Sequence, residues 1–334
     1  MQEHSESPRR VLVLAHTGRN DALKAALQTC KALDAAGIVP VMRDRDLDDV
    51  ENAFGELPFP VETLPSHGDS AGSDSAGSDS ARSHKSGLGN IDLGMVLGGD
   101  GTILRAAEYV RGHGIPLLGV NLGHVGFLAE SERSDLAETV ARVVARDYTV
   151  EERMSIDVKV WFEDQLIYHT WALNEAAVEK ADRERMLEVA VEVDARPISA
   201  FGCDGIVMAT PTGSTAYSFS AGGPVVWPEV EALLLTPISA HALFTKPLVV
   251  APTSVLAVEL VNRTDTPGVL WCDGRRPFDI PSGARVEVTR SPEPVRLVRL
   301  NDTPFAERLV RKFELPTQGW RGPTKAELGA QEGA

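Results

Sequence analysis

Gly98-Gly99-Asp100-Gly101-Thr102 combines small residues with a carboxylate at the end of an apolar run, Met95-Val96-Leu97. A helical pattern follows from Ile103 to Val110. Glycines permit positive φ and let a phosphate approach the main chain closely. A helix start offers unpaired N–H groups and a positive dipole end to an anion. The aspartate is the discordant element, a negative charge where an anion should sit. It makes sense if Asp100 binds a metal that bridges phosphates, or takes the proton of an attacking hydroxyl; both are phosphoryl-transfer chemistry. The alternative is an ordinary turn. The strand before it and the helix after it favour a site, because a motif counts only in its context. Neither a Walker A loop nor a Gly-x-Gly-x-x-Gly fingerprint occurs.

Three further segments gather polar side chains beside apolar runs. Asn174 and Glu175 are adjacent, and at a strand end both can reach one ligand and bind sugar hydroxyls; a solvated strand end is the other reading. From Phe201 to Pro224 glycines and hydroxyls are dense, with seven hydroxyl side chains between Thr210 and Ser220. These suit the polar atoms of a nucleotide, with Tyr217 able to stack on a base; a helix capped by Thr212 or Ser214 is the structural alternative. Asp273-Gly274 reads either as a hairpin turn or, with Arg275 and Arg276, as a phosphate contact. His124, in the second glycine-rich loop, fits a structural role better than a ligand contact, whereas His241 fits either equally well.

The elements that must carry these residues fall into two groups. Val11–Ala15 reads as a buried strand, followed by helical spacing from Leu23 to Leu33 with Asn20 as cap and Gly37 as stop. Strands are predicted at 38–42, around 91–97 and at 115–120, the last ending in a second glycine-rich loop through Phe127. Ser134 is placed to cap a helix over 135–145. This rhythm predicts an α/β N-terminal domain, a parallel sheet flanked by helices, over residues 1–150. A Gly/Ser/Asp-rich stretch at 66–89 reads as a disordered insertion. From Met154 the apolar period becomes alternating, with runs at 156–162, 187–193, 255–261, 269–272, 285–289 and 295–300. That predicts a β-rich C-terminal domain of packed sheets over 151–303. An amphipathic helix at Phe305–Phe313 and a frayed tail would close the chain, the helix packing back on the N-terminal domain.

The chain has 334 residues, 43% of them hydrophobic, and a formal net charge of −15. The acidity argues against a general nucleic-acid binder or a partner of anionic membranes. Cys30, Cys203 and Cys272 are far apart and show no metal spacing. The polar first residues and the lack of a long apolar run predict a cytoplasmic protein.

Taken together, the segments resemble the NAD kinase family in its bacterial form. The resemblance rests on Gly98–Thr102, Asn174-Glu175, the run from Thr210 to Tyr217 with Ala221–Pro224, Pro237-Ile238-Ser239 and Asp273-Gly274. It extends from about Arg10 to Leu300. The glycine turn alone is shared with phosphofructokinases and with lipid kinases; the later motifs are more specific. The resemblance implies phosphoryl transfer from ATP or inorganic polyphosphate to the 2′-hydroxyl of the adenosine ribose of NAD, assisted by Mg²⁺. It implies that Asp100 is the general base, and that Gly98, Gly99, Gly101 and Thr102 cradle donor phosphates. It assigns Asp100, Gly101, Phe127, Asn174, Glu175, Asp204, Thr212, Thr215, Ala216, Tyr217 and Ser220 to NAD, and leaves metal ligands unassigned beyond the phosphates themselves. It further implies a homodimer or homotetramer in which Asp204 and Tyr217 act across an interface. A sugar-phosphate or lipid kinase of the same superfamily is the nearest rival, and a non-catalytic dinucleotide sensor is the rival of another class.

Overall fold

The computed structural model describes residues 8–16, 18–65, 87–123, 126–182, 185–243, 245–261 and 266–317. Most of the 66–89 insertion, His124 and the tail beyond 317 lie outside the described residues.

The first unit is built on a parallel sheet. Its strands Glu62–Leu64, Val39–Arg43, Arg10–Ala15, Leu93–Leu97 and Leu117–Asn121 lie side by side in that order. Their unbroken apolar runs follow from burial on both faces. One face packs Val11, Val13, Met95 and Leu97 against helices Asn20–Ala35, Asp44–Phe54 and Leu136–Ala145. The other packs Leu12, Leu14 and Val96 against Ile103, Ala106 and Ala107 of helix Asp100–Tyr109, and also against Leu173 of the second unit. Gly37, at φ 73°, ends the first helix in the left-handed region as its position predicts. Ser134 does not cap a helix: a short 3₁₀ turn, Arg133–Asp135, leads into Leu136–Ala145 without a side-chain cap.

The second unit is two six-stranded antiparallel sheets face to face. Ile156, Val158 and Val160 of one sheet meet Val178, Ile206, Met208 and Leu270 of the other in a single core. Strict alternation puts one side chain in two into that core, which is the period the sequence displays.

One run belongs elsewhere. By its pattern, 295–300 falls in the β-rich unit. In the structure Val295–Arg299 returns to the first sheet, parallel to Leu117–Asn121 and antiparallel to Thr149–Arg153. Apolar alternation says that a strand has a buried face, not which sheet it completes. The return is locked by Glu130, a buried carboxylate that accepts from Arg299 at 2.8 Å, from the amides of Leu300 and Asn301 at 3.1 and 3.0 Å, and from Arg308 of helix Phe305–Phe313. No helix among the described residues is long and apolar enough to cross a membrane.

Burial pushes the Glu130 carboxyl up, but Arg308, the Asn301 amide and Arg299 outweigh it and hold its pKa below the ordinary value. A depressed pKa contributes stability above the usual carboxylate range that is lost as pH falls through it. Glu130→Gln should therefore cost about 3 kcal/mol in denaturant unfolding at neutral pH. The deficit should narrow in acid.

Candidate active site

Leu93–Leu97 ends inside the first sheet, where the Gly98 amide still pairs with Val120 O at 3.0 Å. Two residues later the chain is helical, with Gly99 as the extended N-cap and its carbonyl accepting from Thr102 and Ile103. Gly98, Gly99 and Gly101 are not in the positive-φ region. Their role is space rather than conformational freedom. A Cβ at Gly98 would fall on the Thr102 side chain, whereas Gly99 and Gly101 face open space. The bare backbone at the start of a ten-residue helix is thus open to a ligand.

Asp100 is the first residue of that helix, and its carboxylate is held from the other side. Its two oxygens accept from the amides of Phe127 and Leu128 at 2.9 and 3.1 Å. The approach is so close that a Cβ at Gly126 would overlap the carboxylate. An ionised carboxylate has about four acceptor sites, so capacity remains for a ligand hydroxyl. The Phe127 ring lies 5.8 Å from both Phe305 and Phe313 of the last helix, and Phe313 also stacks on Phe219 at 4.6 Å. The closing helix therefore touches both the Asp100 loop and the hydroxyl-rich segment.

Asn174 and Glu175 stand where the strand Gln165–Ala172 passes into Glu175–Lys180, and both are buried. Asp273 holds the junction: its oxygens accept from the amides of Leu173 and Asn174 at 3.0 and 2.7 Å, and its own amide donates to Glu175 O. Asp273 and Gly274 both adopt positive φ in the hairpin turn between Gly268–Cys272 and Arg276–Ile280. The hairpin reading is thus realised, and the Asp273 side chain also does a second job. Arg276 is occupied with it at 2.8 Å rather than exposed for a phosphate. Burial and the neighbouring Asp273 push the Glu175 pKa up to about 8.

The Thr210–Ser220 segment crosses this junction. Gly213 passes so close to Asn174 that a Cβ there would collide with its backbone. Four of the seven hydroxyls hold the protein together. Thr210 donates to Leu173 O, Ser214 pairs with the Val226 backbone, Thr215 donates to Thr212 O and Ser218 meets Thr236. The Tyr217 amide points at Glu175 from 3.4 Å. The Tyr217 side chain stays 38% exposed. Asp204 is tied to Lys180 at 2.6 Å, a partner the sequence did not suggest. The His241 amide donates to Gly202 O at 2.8 Å. Phe127 meets the Asp100 carboxylate, Glu175 meets the Tyr217 amide, and Phe313 joins Phe127 to Phe219, so the closing helix links the Asp100 loop to the hydroxyl-rich segment. What sequence reasoning missed is the support: Gly126, Asp273 as an anchor, and the aromatic side of the last helix.

Residues 11–148 match the family model described as the ATP-NAD kinase N-terminal domain, and residues 173–300 the ATP-NAD kinase C-terminal domain. The chain is 59% identical over 319 residues to the NAD kinase of Leifsonia xyli subsp. xyli, covering 94% of this chain and 97% of that one. It is 54% identical over 318 residues to the NAD kinase of Thermobifida fusca, covering 94% and 92%. Among solved structures it superposes on yeast NADH kinase complexed with NADH at a TM-score of 0.80, with 20% identity over 96% of this chain and 91% of that one. It also superposes on an NAD kinase from Archaeoglobus fulgidus in complex with ATP at 0.66, with 25% identity over 92% and 100%.

A carboxyl whose folded pKa is raised stabilises the fold while protonated and loses that contribution as pH rises through the folded value. Melting temperatures of the parent and of Glu175→Gln, taken from about pH 5 to about pH 9, should diverge in favour of the amide as pH rises. Parallel curves would contradict a raised Glu175.

Proposed function

The chain belongs to the NAD kinase family, and from that premise we propose that it transfers the terminal phosphoryl group of ATP to the 2′-hydroxyl of the adenosine ribose of NAD, forming NADP. The observation that carries the reading is Asp100 at the start of a helix, its carboxylate fixed by two amides beside an open glycine turn. A ribose hydroxyl is a weak nucleophile and needs a base aligned with it. Asp100 accepts the proton as the ribose oxygen bonds to phosphorus and the bond to the departing ADP breaks. Gly99 and Gly101 present backbone N–H groups to the donor phosphates and Thr102 offers its hydroxyl, its N–H being bonded to Gly99 O, while Gly98 admits the Thr102 side chain that packs under the turn.

The acceptor lies on the second unit. Asn174 and Glu175 take the ribose hydroxyls. With its raised pKa, Glu175 holds a proton over much of the neutral range and both donates and accepts. With four hydroxyls of the Thr210–Ser220 segment committed internally and the Tyr217 hydroxyl bonded to Glu179, contacts to the base fall to Thr212, the Tyr217 ring, Thr215 and Ala216. Phe127 packs beside them. Asp204 and Ser220 serve the nicotinamide end. Asp204 and Tyr217 are each 38% exposed on the single chain, which suits a homodimer or homotetramer whose neighbour completes the pocket.

The chemistry calls for a divalent cation, which neutralises charge on the transferring phosphates. The Asp100 carboxylate and Thr102 hydroxyl are hard oxygen donors suited to Mg²⁺. Among the described residues no three His, Cys, Asp or Glu side chains cluster as a ready cage. Phosphate oxygens would therefore be the main ligands. Inorganic polyphosphate is a second donor of the same chemistry. The three free, buried cysteines suit a reducing cytoplasm.

Purified protein with NAD, Mg²⁺ and either ATP or polyphosphate should yield NADP, read by an NADP-specific dehydrogenase. NAD binding without product from any donor would instead support a sensor. Asp100→Asn should lower kcat by at least ~10²-fold while calorimetric NAD binding persists. Near-normal turnover would remove Asp100 from the base role.

A further inference from the structure

The chain crosses between the two units at two points, where Thr149–Arg153 gives way to Ile156–Phe162 and where Arg285–Arg290 gives way to Val295–Arg299. The two crossings are bonded to each other. The Ser291 amide donates to Ser155 O at 2.9 Å, and the Ser155 hydroxyl donates to Glu293 O at 2.6 Å. Arg111 clasps both. Its guanidinium donates to Ser155 Oγ at 3.3 Å, to Glu293 O at 2.8 Å and to Ser291 Oγ at 2.9 Å, and pairs with the Glu293 carboxylate at 3.3 Å. Arg111 lies two residues beyond the helix whose first residue is Asp100.

The same guanidinium lies over the Trp171 indole, 4.1 Å from its centre, and Arg276 lies over that ring at 4.8 Å. Arg276 also donates to Trp171 O and to Asp273, both at 2.8 Å. Its Nε is buried without a hydrogen-bond partner, so the indole face is part of what holds the group. Asp273 in turn fixes the amides of Leu173 and Asn174. An unbroken set of contacts therefore joins the far end of the Asp100 helix to the Asn174-Glu175 junction.

We propose that Arg111, Trp171 and Arg276 are positioning residues, which set the register between the Asp100 carboxylate on one unit and the ribose-binding junction on the other. The inference rests on the NAD kinase reading above. Two reacting groups on separate units need a fixed distance, and a misplacement of about 1 Å costs on the order of 10²-fold in rate. A helix of ten residues, roughly 15 Å long, transmits the position of its C-terminal anchor to its first residue. None of the three side chains needs to touch a substrate.

The test compares the parent with Trp171→Leu, Trp171→Phe, Arg111→Met and Arg111→Lys. Trp171→Leu and Arg111→Met should lower kcat per folded molecule by roughly 10- to 100-fold. The KM of ATP should stay unchanged, because the glycine turn lies on one unit, and the dissociation constant of NAD should change far less than kcat, because most of the NAD contacts proposed above lie together on the second unit. Trp171→Phe keeps an aromatic face and should restore most of kcat. Arg111→Lys keeps the charge but loses the planar fork, and should rescue poorly. A lower melting temperature with parental kcat would overturn the proposal, as would equal losses in the Leu and Phe variants. Should Trp171→Leu not fold, the Arg111 pair decides alone: full rescue by Lys overturns the proposal. A parent enzyme without turnover would instead overturn the NAD kinase reading.

Discussion

Three buried or partly buried carboxylates each gather two consecutive backbone amides from a distant stretch of chain. Asp100 holds Phe127 and Leu128, Asp273 holds Leu173 and Asn174, and Glu130 holds Leu300 and Asn301. The amides belong to segments at or beyond strand ends, where the regular ladder no longer supplies partners. An unmet buried amide costs about 1–3 kcal/mol. A carboxylate satisfies two at once through charge-assisted bonds, stronger than neutral ones. The site depends on this device: one carboxylate shapes the loop facing the glycine turn, one shapes the acceptor junction, and one closes the sheet that carries the turn.

Such anchors are expensive to desolvate, and the structure distributes the cost differently at each. Glu130 is surrounded by cations and stays easily ionised. Asp273 has one cation and three amides around it, yet burial still pushes its pKa up. Glu175, with no cation of its own and Asp273 nearby, is pushed up to about 8. Burial thus acts in opposite company at Glu130 and Glu175, and at Glu175 it leaves a proton available in the neutral range, at the position proposed for sugar hydroxyls.

Local patterns in the sequence revealed what depends on local chemistry. The glycine turn at a strand end, the helix after it and the change from helical to alternating period around Met154 all stand where the pattern puts them. Long-range pairing left no periodic trace. Val295–Arg299 has the alternation of any half-buried strand, so nothing in it names the first sheet as its destination. Gly126 was visible as a glycine, but its reason is the Asp100 carboxylate, which lies in another segment. The glycines at 98, 99 and 101 were legible as a phosphate turn for a reason only half right. The Thr102 side chain requires the glycine at 98, open space lies beside 99 and 101, and none of the three has a positive φ.

An acidic chain that binds two polyanionic nucleotides faces a long-range repulsion that its net charge of −15 makes worse. The described site does not answer with a cluster of basic side chains. Arg111 and Arg276 are bound to Trp171, Asp273 and the crossing strands; Arg299 and Arg308 are bound to Glu130. Beside the Asp100 carboxylate the glycine turn offers backbone amides, a helix start and open space at Gly99 and Gly101. Fixed dipoles of this kind attract a phosphate only over the first few ångströms, because their field falls off within a turn of helix. Recognition then depends on fit, and in the proposed reaction the remaining phosphate charge falls to the divalent cation. An arrangement of this kind discriminates by shape, and the arginines named here serve the protein's own contacts, Arg111 and Arg276 at the crossing between the units and Arg299 and Arg308 in the closure of the first sheet.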